Sequence, residues 1–204
     1  MGRFYFEQPG SVHRMDAVRL LARAQEWTGA IVAGVRDEDL QRPTPCTDWD
    51  VATLLDHLTA DLDTFNRVAS DEGVNLVASI DPTAPENARR AQPDPGAEFA
   101  RLAKESQGIW GRPGALEQTY KTSRSEVPGN AIVMIALVDT LVHGWDLAKA
   151  TGQETEMPSD VAEAALAFTT KAMKERRIGF GDPVLVPDDA SVTDRLVGWL
   201  GRNP

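Results

Sequence analysis

Residues 132–152 read IVMIALVDTLVHGWDLAKATG. The stretch opens on an apolar run and then carries Asp139, His143 and Asp146 in the same helical pattern. A helix that is apolar nearly all round is a buried helix. The pattern predicts one from about Gly129 to Ala150, closed by Gly152 as the glycine just past its end. A buried carboxylate without a partner is costly enough that it pairs, binds a metal or changes its pKa. The three ionisable groups therefore need a physical reason.

Working outward, the residues after Asp16, AVRLLARAQEWTGAIVAGV, place apolar side chains at helical spacing and predict a first helix over Asp16–Val35. In PTPCTDWDVATLLDHLTADLDTFNRVAS the prolines block a helix until Thr47, which with Asp50 reads as a capping box. A second helix is expected from Asp48 to about Ala69, with Val51, Leu54, Leu55, Leu58, Leu62 and Phe65 as its core stripe. Residues 70–94 read as a long loop, Pro95–Ile109 as a third helix, and the stretch around Leu116–Val127 as extended. Pro158 suits the first turn of a fifth helix reaching about Arg176. The tail holds a short extended piece, PVLVP, and a last helix near Ser191–Leu200. The whole predicts an all-α bundle of four principal helices over residues 15–204, with a small C-terminal extension from about 178 to 204. Residues 1–14 read as a disordered leader, with Met15 as an alternative start.

Composition narrows the function classes. The net charge of −10 argues against nucleic-acid binding, which needs Lys and Arg to neutralise phosphates, and against an anionic membrane surface. Partners are expected to be small molecules or proteins. A single cysteine, Cys46, excludes an intramolecular disulfide and a Cys-based zinc cluster, and points to a reducing compartment. No apolar segment of signal-peptide length opens the chain, and the longest uninterrupted apolar run, Ala131–Val138, is too short to span a bilayer. A cytoplasmic protein is expected. The preference for Arg over Lys and the abundance of Ala hint at a GC-rich bacterial genome.

Asp139 and His143 are four residues apart and so share one helix face, a spacing by which a helix offers two metal ligands. His57 on the second helix lies at the edge of the core stripe, where it can look inward. Two imidazoles and one carboxylate match a catalytic zinc shell with an open fourth position, and equally a facial triad for iron or nickel. Asp61 and Asp146 are expected as supporting groups that accept the other imidazole N–H. The competing readings are structural: an interhelical ion pair from Asp139 to an arginine, a surface pair of Asp146 with Lys149, and an exposed polar edge at His57. Cys46 reads as a packing residue in its turn, and the five tryptophans as core and rim residues.

TPCTDWDVATLLDHL, LVDTLVHGWDLAKATG and the C-terminal FGDPVLVPDDASVTDRLVGWLGRNP resemble a known family. They are similar to the DinB-like superfamily that includes the mycothiol-dependent maleylpyruvate isomerases, within its small actinobacterial metal-binding branch. The resemblance covers about residues 16–204. It implies a DinB-like four-helix bundle in which His57 supplies one metal ligand and Asp139 with His143 the other two. It also implies a divalent metal, usually zinc, and a low-molecular-weight thiol such as mycothiol as cosubstrate. A thiolate binds zinc well, and the metal keeps it nucleophilic at neutral pH. Thiol transfer needs only its addition to an electrophile; isomerisation adds rotation and elimination. The isomerases carry a further C-terminal domain for which this chain has too few residues, which points away from maleylpyruvate itself. A metal-water hydrolase, and a non-catalytic bundle binding a metal or ligand, are the alternative functions. The bundle faces also admit a homodimer.

Overall fold

The computed structural model describes residues 14–47, 49–70, 74, 76, 94–123, 125–172 and 180–204. The expected leader, apart from Arg14, and most of the expected 70–94 loop lie outside the described residues.

Helix α1 spans Arg14–Ala33. It ends short of the predicted Val35 because the chain tightens there, the amides of Gly34 and Val35 bonding the carbonyls of Ile31 and Val32 at 3.0 and 3.2 Å. Helix α2 spans Val51–Arg67, and its N-cap is Asp50 itself, whose carboxylate accepts the Thr53 N–H at 2.8 Å. The expected cap at Thr47 is thus displaced. The Trp49 N–H bonds back to the Cys46 carbonyl at 3.1 Å, and Asp50 is still extended, pairing across a β-bridge with Pro43. Helix α3, Pro95–Trp110, matches its predicted start, with Pro95 in the first turn and Asp94 capping the Ala97 N–H at 2.9 Å. The predicted extended stretch folds as a hairpin of β1, Thr119–Lys121, and β2, Glu126–Pro128, with Tyr120 opposite Val127.

Helix α4 runs Gly129–Thr151 and stops at Gly152, which takes the left-handed conformation (φ 72°) that glycine adopts without steric cost. Helix α5, Ser159–Ala172, and α6, Val192–Trp199, follow. The remainder of the expected fifth helix, 173–176, lies outside the described residues.

The four long helices close a ring in the order α1, α4, α2, α3, so that α1 and α2 occupy opposite corners, as do α3 and α4. Consecutive helices are therefore not neighbours across the first connection. The fold is the all-α, DinB-like architecture expected from the sequence. Burial of α4 has two sources. Two of its sides face α1 and α2, and α5, backed by α6, packs on a third. Its length and an 18-residue window of mean hydropathy 1.6 would suffice to cross a membrane, yet 89% of that window is buried inside the protein.

The α1–α4 contact is especially close at Gly144. A β-carbon there would meet Thr28 Oγ1 at 2.4 Å and the Trp27 ring at 2.9 Å. Thr28 in turn donates to the Thr140 carbonyl at 3.0 Å. The residue beside His143 is thus small because α1 passes over it, and the histidine's backbone is held on a rigid seam.

Candidate metal centre

His57 projects from α2 and His143 from α4, and both imidazoles are buried. Val51, Leu54, Leu55, Leu58 and Leu62 pack α2 so that His57, at the edge of that stripe, faces α4. The two Nε2 atoms approach to 3.2 Å. On α4, Asp139 Oδ1 lies 3.4 Å from the same His143 Nε2, one turn away as the i, i+4 spacing requires. One donor atom from each of His57, Asp139 and His143 falls within 4.8 Å of the others. For bonds of about 2.0–2.1 Å in a tetrahedral shell, adjacent ligand atoms stand about 3.3 Å apart. The two measured separations are close to that edge length. A borderline-soft divalent ion accepts this mixture of imidazole and carboxylate, so the donor set fits in chemistry as well as in spacing.

The two other acidic residues occupy different places. Asp146, fully buried, sets Oδ2 3.2 Å from His143 Nδ1, on the far side of the ring from the cluster. Asp61, also buried, sets Oδ2 3.4 Å from His57 Nε2, the nitrogen that faces the cluster, and comes within hydrogen-bond reach of Asp139. Asp61 therefore borders the donor atoms themselves, whereas Asp146 stands behind one of them.

Electrostatics follow from this packing. Burial by itself would raise the Asp139 carboxyl, but the charge and hydrogen bond of His143, together with His57 and Asp61, leave it below the ordinary carboxylate value. Burial opposes charge on His143, yet Asp139, Asp146 and Cys46 around the ring raise its pKa well above the usual imidazole value. Asp146 is likewise opposed by burial but is held at about 2 by the hydrogen bond with His143 and by Arg202.

Three neighbours escaped the sequence reading. Arg202, in the tail after α6, donates to Asp146 Oδ2 at 2.9 Å and Oδ1 at 3.3 Å. The arginine anticipated as a partner for Asp139 thus pairs with Asp146 instead. The surface pair with Lys149 is excluded, since Asp146 is buried and the Lys149 ammonium lies over the Trp145 ring at 5.4 Å. Cys46 is more than turn packing: its Sγ lies 3.1 Å from Asp146 Oδ2, 3.7 Å from His143 Nδ1 and 3.3 Å from Arg202 Nη2. Trp49 lays its ring beside both imidazoles, with centroids 4.4 Å from His57 and 6.1 Å from His143. The Thr44 hydroxyl organises that turn, reaching the carbonyls of Cys46 and Trp49 at 3.1 and 2.9 Å and accepting the Cys46 N–H at 3.2 Å. The local hint in the sequence is one arginine directly after the apolar LVGWLG.

Cys46, His143 and Asp146 form a second group of donor atoms within 4.8 Å. The Arg202 guanidinium already occupies the charge-compensating position there. A cation beside it would be repelled at short range in a buried setting, so the His57–Asp139–His143 side is the better cradle.

The sequence model of the mycothiol maleylpyruvate isomerase N-terminal domain matches residues 21–148, and the chain belongs to that family. Two uncharacterized proteins from strains of Mycobacterium tuberculosis are each 30% identical over 192 residues, covering 92% of this chain and 98% of theirs. No solved structure matches the chain significantly.

Proposed function

We propose that this member of the mycothiol maleylpyruvate isomerase N-terminal domain family is a divalent-metal enzyme. It would transfer or isomerise a small molecule with the help of a low-molecular-weight thiol of the mycothiol type. The observation that carries the reading is the convergence of His57 Nε2, His143 Nε2 and Asp139 Oδ1 from two helices. These three would hold the metal; zinc with an open fourth position suits two imidazoles and a carboxylate, and iron or nickel are the alternatives. When bound, such an ion lowers the pKa of a thiol at its open position and so supplies a nucleophile at neutral pH.

The remaining chemistry belongs to the chain. Asp146 accepts from His143 Nδ1–H, which leaves the Nε2 lone pair for the metal side. Asp61 borders His57 Nε2 and Asp139 and is placed to take or hold a proton beside the donor atoms. Trp49 walls the imidazoles with an apolar ring and limits water at that edge. The family assignment supports the thiol, and the overall negative charge favours a substrate drawn in by the site rather than by the surface at large.

Untagged protein purified without chelator should carry about one equivalent of zinc or a similar divalent ion, and should turn over electrophilic small molecules only with added thiol. Turnover with metal but without thiol would assign the site to activation of water. Absence of metal from wild type, with no uptake on titration, would end the reading.

A further inference from the structure

We infer that Arg202 is a positioning residue that acts through Asp146 to fix which nitrogen His143 presents to the metal side. The inference rests on the metal-site reading above. Arg202 is buried, and its guanidinium forks over both oxygens of Asp146, with Nη2 at 2.9 Å from Oδ2 and Nε at 3.3 Å from Oδ1. A fork of this kind fixes the plane of the carboxylate as well as its charge. The oriented Oδ2 then lies 3.2 Å from His143 Nδ1. An imidazole held by a hydrogen bond at one nitrogen offers the other. The chain of contacts therefore runs Arg202, Asp146, His143 Nδ1, and ends at the Nε2 that meets His57.

The tail is built to deliver this guanidinium. Leu200 and Arg202 bond back into the end of α6, the Arg202 N–H reaching the Val197 carbonyl at 2.9 Å. Gly201 takes a left-handed turn (φ 85°) against Gly181, where a β-carbon would come within 2.7 Å of the Gly181 Cα. No side chain fits at that turn, and the turn aims residue 202 inward. Arg202 Nη1 is then tied to the Leu200 carbonyl at 3.0 Å, and its guanidinium lies 5.3 Å from the Phe180 ring centre. A segment outside the four-helix bundle thus completes the support of a ligand within it.

The test compares wild type, Arg202→Gln, Arg202→Lys, Asp146→Asn and the Asp146→Asn/Arg202→Gln double variant. Zinc affinity is read by competition with a chromophoric chelator, and the His143 Nδ1 proton by ¹H–¹⁵N NMR with and without zinc. Arg202→Gln should weaken zinc binding about 10–100-fold and lose the protected Nδ1 proton signal. Arg202→Lys should regain only part of both, since a point charge reaches Asp146 without forking over its two oxygens. The double variant should bind no more weakly than Asp146→Asn alone, because the arginine acts through that carboxylate. Unchanged zinc affinity in Arg202→Gln, additive losses in the double variant, or a Lys variant that matches wild type would each overturn the inference. Should Arg202→Gln not fold, the Lys variant and the wild-type Nδ1 proton decide: absence of a protected Nδ1 proton in wild type overturns it. Wild type that takes up no zinc would instead sink the metal-site reading beneath it.

Discussion

His57 Nε2 and His143 Nε2 stand 3.2 Å apart although 86 residues separate them in the chain. Two buried imidazoles rarely bring the same ring nitrogens together unless a proton or a cation lies between them. The rings meet edge to face, with centroids 4.8 Å apart, so the contact is made by nitrogens and not by stacking. Each histidine comes from a different corner of the bundle, α2 or α4, and the core on both helices keeps the pair from separating.

Removing either imidazole should therefore remove the metal. His57→Ala and His143→Ala are expected to bind zinc on the order of 100-fold or more weakly. Thermal melting with and without zinc checks this. Wild type should gain about 2.7 kcal/mol at zinc 100 times its Kd, and the variants no more than about 0.4 kcal/mol at that concentration.

Metal uptake should release protons. Asp139, Asp146 and Cys46 raise the His143 pKa well above the usual value, so in the metal-free protein the ring keeps its proton to higher pH than a free imidazole does. The raised pKa contributes stability that is fully present below the unfolded value near 6.5 and is lost as pH rises through the folded value. Zinc needs the neutral ring and so competes with that proton. Affinity should fall about tenfold per pH unit below the folded pKa. Calorimetry in buffers of different ionisation enthalpy would count the proton; a buffer-independent heat would contradict the assignment.

The Asp146–Arg202 pair gives the fold its own acid sensitivity. Asp146 is lowered from 3.8 to about 2, so its stabilisation is present above pH 4 and disappears as pH falls through about 2. The shift corresponds to about 2 kcal/mol. Asp146→Asn should be less stable than wild type at neutral pH by at least that amount, and the gap should narrow by about 2 kcal/mol between pH 5 and pH 2. Urea unfolding at several pH values measures it.

Gly144 should tolerate no side chain. Alanine there would press on Thr28 Oγ1 and the Trp27 ring, both on a helix packed along its length. Gly144→Ala is expected to cost about 1–3 kcal/mol despite the higher helix propensity of alanine. It should also weaken zinc binding, because His143 is the next residue. Urea unfolding together with a zinc titration would show both effects or refute the seam.

The parts that were legible in the sequence are local ones. α3 and α4 follow the periodicity and caps of their own residues, and Asp139 with His143 share a face because four residues make one turn. The start of α2 differs from the expected one because Asp50 suits a cap in either frame, and only the Thr44–Trp49 hydrogen bond with the Pro43–Asp50 bridge decides between them. Cys46 and Arg202 were not legible as site neighbours. Cys46 lies 97 positions from His143, and Arg202 lies 56 from Asp146, so no spacing rule connects them. The hairpin was seen only as extended chain, since its pairing depends on register and not on composition.

One divalent metal is expected between His57, Asp139 and His143. A crystal structure of protein grown with zinc, with anomalous data collected on both sides of the zinc edge, tests it most directly. One strong peak is expected within about 2.0–2.2 Å of His57 Nε2, His143 Nε2 and an Asp139 carboxylate oxygen, with Asp146 still on His143 Nδ1 and Arg202 still on Asp146. No peak there, or a peak on Cys46 and Asp146 with Arg202 displaced, would contradict it.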